Sequence, residues 1–277
     1  MTNHWLITGV STGIGKAIAL EAARNGATVT GTVRKSEQIK EFEALVPGKT
    51  FAVLADVRQK TTLENLVNET IERFVKIDVL VNNAGYGLVG AVEELSEVEL
   101  RDQMEVNFFG PVFLTQLVLP EMRKQKKGHI FNVSSIAGIN GTAALAMYNA
   151  SKFALEGFSE GLKLELKSLG IQVTIVEPGP FRTYWAGNGL VHAKREIEEY
   201  APVTSLLRSR LGMVDGNQQG DPAKAASLIY EVALSENPPL RLLLGKPAYK
   251  VVESKIESLR KELADWKPKG IATDFPD

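Results

Sequence analysis

The 277-residue chain has no cysteine and only three histidines. The absence of cysteine excludes a disulfide, a thiolate metal ligand, an iron–sulfur cluster and a cysteine nucleophile from this chain. His4, His129 and His192 are spread along the sequence, so a metal site built from imidazoles is not expected. A composition without cysteine suits a reducing compartment, and we expect a cytoplasmic protein.

The chain also lacks a charge excess and a long apolar run. Lys and Arg number 32 against 33 Asp and Glu, so no basic surplus is available to neutralise phosphates. The most apolar stretches, such as 113–119, contain polar residues, and the N-terminal segment has no basic region followed by a long apolar one. We therefore expect no nucleic-acid partner, no membrane span and no signal peptide.

Short β-branched runs alternate with helical patterns along most of the chain. Several runs are apolar on both faces, which is typical of strands in a parallel sheet covered by helices on both sides. The predicted strands are His4–Thr8, Thr28–Thr32, Thr50–Ala55, Val79–Asn82, His129–Val133, Gln172–Glu177 and Arg241–Leu244. The alternation predicts a doubly wound α/β fold with a mainly seven-stranded parallel sheet and helices on both faces.

Helix-start signals occur between these runs. Ser96 with Glu99 forms a capping box, which predicts a long helix beginning there. Asp221 followed by Pro222 places a cap before a proline at the first helical position. A third helix is predicted from Ser151 onward, where leucines follow helical spacing.

No repeat, linker or low-complexity segment divides the chain, so we predict one domain over residues 1–277. Residues 178–220 form the least regular stretch, and we interpret them as an excursion that covers a substrate. Residues 246–277 form a C-terminal extension, with a helix predicted at about 248–264.

A glycine-rich turn follows the first predicted strand. The segment TGVSTGIG puts Gly9, Gly13 and Gly15 where that strand meets a helix. Glycine permits close backbone approach and a helix N-terminus offers unpaired N–H groups, which together suit a dinucleotide pyrophosphate. The spacing GxxxGxG differs from the common GxGxxG, and tight packing alone could explain the glycines. The position at the first strand–helix junction favours binding, since open α/β sheets hold ligands at the carboxyl ends of their strands.

Tyr148 and Lys152 stand four residues apart in MYNASK, so their side chains share one helix face. A phenol has a free pKa of about 10, and a nearby ammonium favours the phenolate and lowers that pKa. Lowering the pKa by about 3 units corresponds to around 4 kcal/mol of stabilisation of the phenolate. One lysine together with a cationic nicotinamide could plausibly supply that amount. The alternative is a purely structural role, since a tyrosine and a lysine at the edge of the core could have the same spacing. Ser135, thirteen residues before Tyr148 at the end of a strand, favours a catalytic site.

Asn107 lies in the helix that Ser96 opens, and Pro111 follows four residues later. Proline has no N–H, so the carbonyl of Asn107 loses its usual donor. We therefore predict a kink near Asn107 and Gly110 that leaves an acceptor suited to binding a water molecule. The alternative is a kink that only fits the packing.

These motifs together resemble the short-chain dehydrogenase/reductase family. TGVSTGIG, NNAG at 82–85, Asn107, Ser135, YNASK and EPGP at 177–180 occur in the order and spacing of that family, over roughly residues 4–245. The resemblance implies a Rossmann fold and an oxidoreductase that transfers hydride between a nicotinamide and a carbonyl or secondary alcohol. The extension after Leu244 favours a hydroxysteroid- or retinol-dehydrogenase-like member over a compact acyl-carrier ketoreductase.

The resemblance also implies roles for the candidate catalytic residues. Tyr148 would be the acid–base catalyst, and Ser135 would orient the substrate oxygen. Lys152 would hold the nicotinamide ribose and lower the pKa of the tyrosine. Asn107 would support a water-linked proton relay. Ser134 is the competing serine, and the thirteen-residue offset to Tyr148 favours Ser135.

The end of the second strand indicates which nicotinamide is used. Relatives that prefer NAD have an acidic residue there, whereas this chain has Val33 followed by Arg34 and Lys35. Arg34 could pair with a 2′-phosphate, so NADP is expected in preference to NAD. The alternative is an exposed basic pair near a helix start, and Thr12 is not the basic residue that many NADP-binding relatives carry.

The remaining cofactor contacts are expectations from the resemblance. Asp56 is expected at the adenine amino group and 83–85 beside the ribose, with Pro178, Gly179 and Thr183 near the carboxamide. The complete predicted cofactor set is Gly9, Ser11, Thr12, Gly13, Ile14, Gly15, Arg34, Asp56, Val57, Asn83, Ala84, Gly85, Tyr148, Lys152, Pro178, Gly179 and Thr183. No metal is expected.

Mostly apolar residues are predicted around the substrate, which indicates a lipophilic carbonyl compound or alcohol. They are Tyr86, Leu88, Ile136, Ala137, Leu145, Phe181, Tyr184, Trp185, Leu206 and Met213. The same residues could equally cover the core. Gly157 and Gly161 allow close approach of another helix, and family members commonly pair this helix across a symmetry axis, so a homodimer or homotetramer is expected.

Two alternative functions stay open at the sequence level. A non-catalytic NADP(H)-binding sensor would keep the glycine turn but would not need Ser135, Tyr148 and Lys152 together. A sugar-nucleotide epimerase of the extended branch shares the YxxxK motif, but usually has a different glycine spacing and a larger C-terminal substrate domain.

Overall fold

A computed structural model describes residues 3–187 and 189–275. Within these ranges the strands are β1 (His4–Ile7), β2 (Thr28–Val33), β3 (Thr50–Leu54), β4 (Val79–Asn82), β5 (Gly87–Val89), β6 (Gly128–Val133), β7 (Ile171–Pro178), β8 (Leu190–His192) and β9 (Arg241–Leu244). The α-helices there are α1 (Gly13–Arg24), α2 (Glu37–Glu43), α3 (Lys60–Phe74), α4 (Glu97–Met104), α5 (Gly110–Gln125), α6 (Ala146–Leu166), α7 (Ala201–Val214), α8 (Pro222–Leu234) and α9 (Lys246–Ile271).

Seven strands form one parallel sheet in the order β3-β2-β1-β4-β6-β7-β9. The order reverses between β1 and β4, which creates the crevice where open α/β sheets bind their ligands. Each strand of this sheet matches its predicted bounds to within one residue at either end. The predicted doubly wound fold is confirmed.

Alternate residues of β1 supply the two faces of the sheet with core side chains. Ile7 is fully buried in a cluster with Ile18 of α1 and Ile229 of α8. Leu6 is fully buried in a second cluster with Leu63 of α3 and Leu114 of α5. Because both faces are covered, the strands read as apolar on both sides in the sequence.

The predicted helix caps form as expected. The N–H of Glu99 donates to Ser96 Oγ at 3.4 Å, and the N–H of Ser96 donates to Glu99 Oε2 at 2.8 Å. Asp221 Oδ1 accepts the N–H of Ala223 at 2.9 Å. The C-terminal helix is longer than predicted, running over Lys246–Ile271.

Two short strands escaped sequence analysis. β5 and β8 pair in parallel as a separate two-stranded sheet. Each has three residues, which is too short a run to show an alternating pattern. β8 lies within residues 178–220, which leave the main sheet after β7 and also contain α7; we call this segment the roof. None of the helices in the described ranges has the length and apolar character needed to cross a membrane.

Candidate active site

The glycine-rich turn joins β1 to α1 beside the reversal of strand order. Gly9 and Gly13 have φ values of 70° and 63°, in the left-handed region that glycine adopts without strain. A Cβ on Gly15 would collide with the Asn83 side chain and the Gly9 carbonyl. The turn therefore needs glycine for backbone conformation at two positions and for space at the third.

Asn83 and Thr8 fix the shape of this turn. Asn83 Nδ2 donates to the carbonyls of Thr8 and Gly9 at 2.8 and 3.1 Å. Thr8 Oγ1 accepts the N–H groups of Asn83 and Ala84, each at 2.9 Å. These bonds tie the ends of β1 and β4 together. Thr8 was missed by the sequence analysis because a threonine closing a strand carries no distinctive signal.

The N-terminus of α1 faces out of the turn without a built-in anion. Thr12 makes no side-chain capping bond, and the first turn of the helix contains no acidic residue. The dipole and N–H groups at this end are thus not neutralised from within the helix. A cradle with glycine backbone, no room for side chains and an uncompensated helix end suits a pyrophosphate.

Tyr148 and Lys152 lie together on α6, next to the carboxyl end of β6. Both side chains are buried, with 5% of each exposed. Lys152 Nζ donates to the carbonyl of Val133 at 2.8 Å and lies 5.9 Å from the centre of the Tyr148 ring. Ser135 is half-buried, and its hydroxyl accepts the N–H of Ala137 at 3.1 Å and acts to lower the pKa of the Tyr148 phenol. The structure brings these three predicted residues to one place.

Burial dominates the ionisation of this pair. It raises the pKa of Tyr148 to about 12, with the hydrogen bond from Ser135 acting in the opposite direction. It lowers the pKa of Lys152 to about 8, opposed by the negative charge of Glu156. The loss of solvation of the phenolate thus acts against the shift expected from Lys152 and a cationic nicotinamide. That expectation stays a prediction.

The irregularity predicted at Asn107 takes the form of a π-helical turn. Residues Glu105–Phe109 form this turn between α4 and α5, and the N–H of Gly110 donates to the carbonyl of Glu105. Pro111 has no N–H to continue the α-helical pattern, which explains the break. A side chain at Gly110 would press on Val57, so glycine allows the turn to pack against the end of β3.

The side chain of Asn107 is held firmly within the site. Its Nδ2 donates to the Tyr86 carbonyl at 3.0 Å and to Ser151 Oγ at 3.1 Å, and its Oδ1 accepts the Tyr86 N–H at 3.1 Å. A Cβ on Gly85 would lie 3.2 Å from Asn107 Oδ1 and 3.6 Å from Lys152 Nζ. Gly85 therefore occupies the narrow space between the asparagine and the lysine.

Ser134, the competing serine, belongs to a different group of side chains. It is buried next to Glu156, since a Cβ on Gly138 would lie 2.6 Å from Ser134 Oγ and 2.9 Å from Glu156 Cγ. Arg241 Nη1 pairs with Glu156 Oε2 at 2.6 Å and with Glu177, and its Nη2 pairs with Glu160 at 2.5 Å. Burial raises the pKa of Glu177 to about 7. This cluster was missed because its members are far apart in the sequence.

The residues predicted at the adenosine end lie at the ends of β2 and β3. Arg34 is exposed directly after β2, and its charge helps to lower the pKa of Asp56. The largest cause of that lowering is Arg58, whose Nη2 pairs with Asp56 Oδ2 at 2.6 Å. Arg58 also reaches Asp102 at 3.5 Å. The sequence analysis missed Arg58, which adds a second cation to this end of the site.

The predicted carboxamide residues connect β7 to the roof. Pro178 ends β7, and the N–H of Gly179 donates to the carbonyl of Leu244 at 3.0 Å. Thr183 lies next to the glycine turn, since a Cβ on Gly13 would be 3.6 Å from the Thr183 side chain. The first residues of the roof thus return to the position where the pyrophosphate is expected.

The roof closes over the candidate catalytic tyrosine. The ring of Trp185 packs on Tyr148 with centroids 5.4 Å apart, and Leu207 and Leu211 of α7 join the same apolar cluster. The predicted pocket residues Tyr184, Leu206 and Met213 are instead 67%, 51% and 67% exposed. The helix α7 was not predicted from the sequence, so the side of it that faces the site could not be predicted either. A cavity of about 490 Å³ lies between β8 and α7.

Known proteins resemble this chain in sequence over most of its length. A protein-family model described as short chain dehydrogenase matches residues 3–189. An oxidoreductase, BOA17, of Botryotinia fuckeliana is 36% identical over 274 residues, covering 99% of this chain and 100% of that protein. A 3-ketodihydrosphingosine reductase of Bacteroides thetaiotaomicron is 38% identical over 257 residues, covering 91% of each chain.

Solved structures share the fold. A short-chain dehydrogenase from Streptomyces avermitilis is 39% identical, with a TM-score of 0.92 over 99% of this chain and 98% of that one. A metagenomic short-chain oxidoreductase solved in complex with NADP is 27% identical, with a TM-score of 0.69 over 87% of this chain and 96% of that one.

Proposed function

The chain belongs to the short-chain dehydrogenase/reductase family of nicotinamide-dependent oxidoreductases, and on that premise we propose that it interconverts a lipophilic carbonyl compound and its alcohol with NADP(H). The observation that carries this proposal is the burial of Tyr148 and Lys152 beside Ser135, at the carboxyl edge of the sheet. Neither a sensor nor a structural protein needs a phenol, an ammonium and a hydroxyl in one dry site.

The three side chains divide the proton chemistry between them. At neutral pH the raised pKa keeps Tyr148 protonated, so its hydroxyl donates a proton to the carbonyl oxygen during reduction. Ser135 donates a hydrogen bond to the same oxygen and holds it near the phenol. Bound nicotinamide supplies the hydride in this direction and accepts it in the other. The ammonium of Lys152 then stabilises the phenolate that proton transfer leaves behind.

Asn107 acts as a positioning residue next to this group. Its side chain is held by hydrogen bonds with Tyr86 and Ser151. Gly85 lies between the asparagine and Lys152, where an added methyl group would contact both side chains. The π-helical turn interrupts the α-helical hydrogen-bond pattern around Asn107, and a backbone carbonyl left without a donor there would suit a water molecule that passes protons toward the lysine. We assign Asn107 the task of holding that turn in place.

Cations at the adenosine end support the preference for NADP. Arg34 follows β2 without an acidic residue at the strand end, and its exposed guanidinium is free to meet a 2′-phosphate. Arg58 is already paired with Asp56 and Asp102, so it contributes to the local potential rather than a direct contact. Neighbours solved with NADP and with NAD both exist, so they support a nicotinamide cofactor and the choice of NADP depends on Arg34.

The apolar roof supports a lipophilic substrate. Trp185, Leu207 and Leu211 present apolar surface to Tyr148, and a substrate that displaces them exchanges one apolar contact for another. The reductase from Bacteroides thetaiotaomicron is named for a lipid ketone, which is consistent with this chemistry. The roof has to move for the substrate oxygen to reach the buried phenol.

The exposed face of α6 supports self-association. An added Cβ at Gly157 or Gly161 would meet no atom within 4 Å. Phe153 and Leu164 on the same helix are 46% and 76% exposed, which is unusual for large apolar side chains. We propose that this face pairs two copies of the chain in a homodimer, or in each half of a homotetramer.

The test follows a label through the reaction. Wild-type protein is incubated with NADPH carrying deuterium at nicotinamide C4 and with a panel of ketones and aldehydes, and the products are analysed by mass spectrometry. The proposal predicts an alcohol with deuterium on the former carbonyl carbon. Tight NADPH binding without any product would favour the sensor. Conversion of a nucleotide sugar with no net change of redox state would favour the epimerase.

A further inference from the structure

The C-terminal helix α9 leaves the body of the protein with an apolar stripe uncovered. Ala248 is buried and Val252 is half-buried, but every residue from Ile256 to Ile271 is exposed. The helix is 26 residues long, so more than half of its length is exposed. Isolated helices of this kind are marginal in water, and packing of an apolar face is what usually stabilises them.

The large apolar residues of the exposed helix repeat every three and four residues. They are Tyr249, Val252, Ile256, Leu259, Leu263 and Trp266. Tyr249, Leu263 and Trp266 are 54%, 70% and 65% exposed, and Ile256 and Leu259 are 44% and 43% exposed. This is the spacing of the a and d positions of a heptad, in which one helix packs against another along a narrow seam. We call these six residues the seam.

The charges beside the seam are arranged for a second copy of the same helix. At the e positions stand Lys246, Glu253, Arg260 and Lys267, and at the g positions stand Lys255, Glu262 and Lys269. In an antiparallel pair the layers join Tyr249 to Trp266, Val252 to Leu263 and Ile256 to Leu259 of the two copies. That register sets Glu253 opposite Arg260 and Lys255 opposite Glu262, with each pair occurring twice by symmetry. The like-charged pair in this register is Lys246 opposite Lys267, at the end of the seam.

The parallel arrangement fits less well. There a g residue faces the e residue five positions later in the other copy, which sets Lys255 against Arg260 and Glu262 against Lys267, so one of these two pairs is like-charged. Within one chain Arg260 lies 4.0 Å from Glu257 and both side chains are largely exposed, so the guanidinium can change partner. Each side of the seam carries an acidic residue, Glu253 on one and Glu262 on the other, whereas an interfacial membrane helix typically concentrates lysine and arginine beside its apolar face.

We propose that α9 pairs with α9 of a second copy of this chain as an antiparallel two-stranded coiled coil. The seam from Tyr249 to Trp266 spans about 27 Å at 1.5 Å per residue. This surface is separate from the exposed face of α6, so association through α9 does not depend on the oxidoreductase chemistry or on the α6 pairing. Two such surfaces on one chain build a tetramer from two dimers.

Charge exchange tests both the contact and its direction. Sedimentation velocity is run on the full chain over a concentration series for wild type, Arg260→Glu and the double variant Glu253→Arg/Arg260→Glu. An antiparallel pair predicts about tenfold weaker association for Arg260→Glu, since two pairs become like-charged, and recovery in the double variant. A parallel coil predicts the opposite for the single variant, because the new carboxylate would face Lys255.

A seam variant and a vesicle-binding measurement complete the test. Leu263→Glu puts a charge in the seam opposite Val252 of the other copy and is expected to abolish the same association step while enzyme activity and thermal unfolding stay unchanged. Association that is identical in all four proteins would overturn the proposal. So would co-sedimentation of wild type, but not of Leu263→Glu, with phosphatidylcholine–phosphatidylserine vesicles when no α9-dependent association is seen in buffer.

Discussion

The site has a floor and a roof that differ in how they are held. The floor, formed by Asn83, Ser135, Tyr148 and Lys152, is carried by the sheet and α6, and hydrogen bonds to backbone carbonyls fix Asn83 and Lys152. The roof, residues 178–220, contacts Tyr148 through the apolar ring of Trp185 and is tied to the rest of the chain by the pairing of β8 with β5. Hydrogen bonds specify direction, whereas apolar contacts can be exchanged for others of similar area.

This difference separates chemistry from substrate choice. Residues that move protons need fixed positions, and a parallel sheet buried on both faces provides them. Residues that recognise a lipophilic substrate need to open and repack, and a segment outside the sheet can do that at low cost. Substitutions in the floor should therefore change the rate of the chemical step, and substitutions in the roof should change substrate binding.

The largest effect is expected at Lys152. Lys152→Met keeps the apolar stem but removes the ammonium that stabilises the Tyr148 phenolate. We expect kcat/KM to fall by about 10³-fold, equivalent to about 4 kcal/mol at 1.36 kcal/mol per tenfold. The exposed Lys167 at the end of the same helix gives the control Lys167→Met, which should keep wild-type activity. Equal activity in both variants would contradict a role for the lysine in the floor.

The pH profile of reduction should follow the same lysine. Burial lowers the pKa of Lys152 to about 8, so the ammonium is present below that pH and lost above it. We expect kcat/KM to decline by about tenfold per pH unit above pH 8, while Tyr148, with a pKa of about 12, stays protonated. The Glu156 carboxylate raises the lysine pKa, so Glu156→Gln should move the decline to lower pH. A profile that is flat from pH 7 to 10 would contradict this assignment.

A smaller effect is expected in the roof. Trp185→Ala removes the ring that covers Tyr148, and we expect KM for a lipophilic ketone to rise about tenfold while kcat changes by less than about threefold. Tyr184→Ala is the matched control, because that neighbouring ring is 67% exposed. A loss of kcat with unchanged KM in Trp185→Ala would show that the roof takes part in the chemical step.

The smallest effect is expected at the adenosine end. Arg34→Asp replaces an exposed cation with the type of residue that accepts ribose hydroxyls, so the ratio of kcat/KM for NADPH over NADH should fall about tenfold. Lys35→Asp is the control for a general change of surface charge. A ratio that stays the same in Arg34→Asp, or falls equally in both variants, would remove the phosphate contact from the account.

The sheet could be predicted because its strands are buried on both faces and therefore stand out as apolar runs. Tyr148, Lys152 and Ser135 could be placed together because helical spacing and strand ends are local features. The direction in which the Tyr148 pKa shifts could not be predicted. It depends on burial by Trp185, and that burial depends on how the roof folds back over α6. The pairing of Arg241 with Glu156 and Glu177 was equally hidden, because 85 and 64 residues separate the partners.

The rotation of α7 about its own axis could not be predicted from the sequence either. Leu206 was predicted at the substrate, but α7 turns Leu207 and Leu211 toward Tyr148 and leaves Leu206 exposed. Neighbouring leucines on an amphipathic helix differ by 100° in direction, and only tertiary packing selects between them. The short strands β5 and β8 could not be predicted for a similar reason, since three residues define no periodicity.

The most direct test of the account is the Tyr148→Phe variant, which removes one oxygen atom from the floor. NADPH oxidation with a ketone that the wild type reduces is measured together with NADPH binding by fluorescence. We predict a loss of kcat of about 10²–10⁴-fold with an unchanged dissociation constant for NADPH. Turnover within a few-fold of wild type would show that the phenol does not carry the proton.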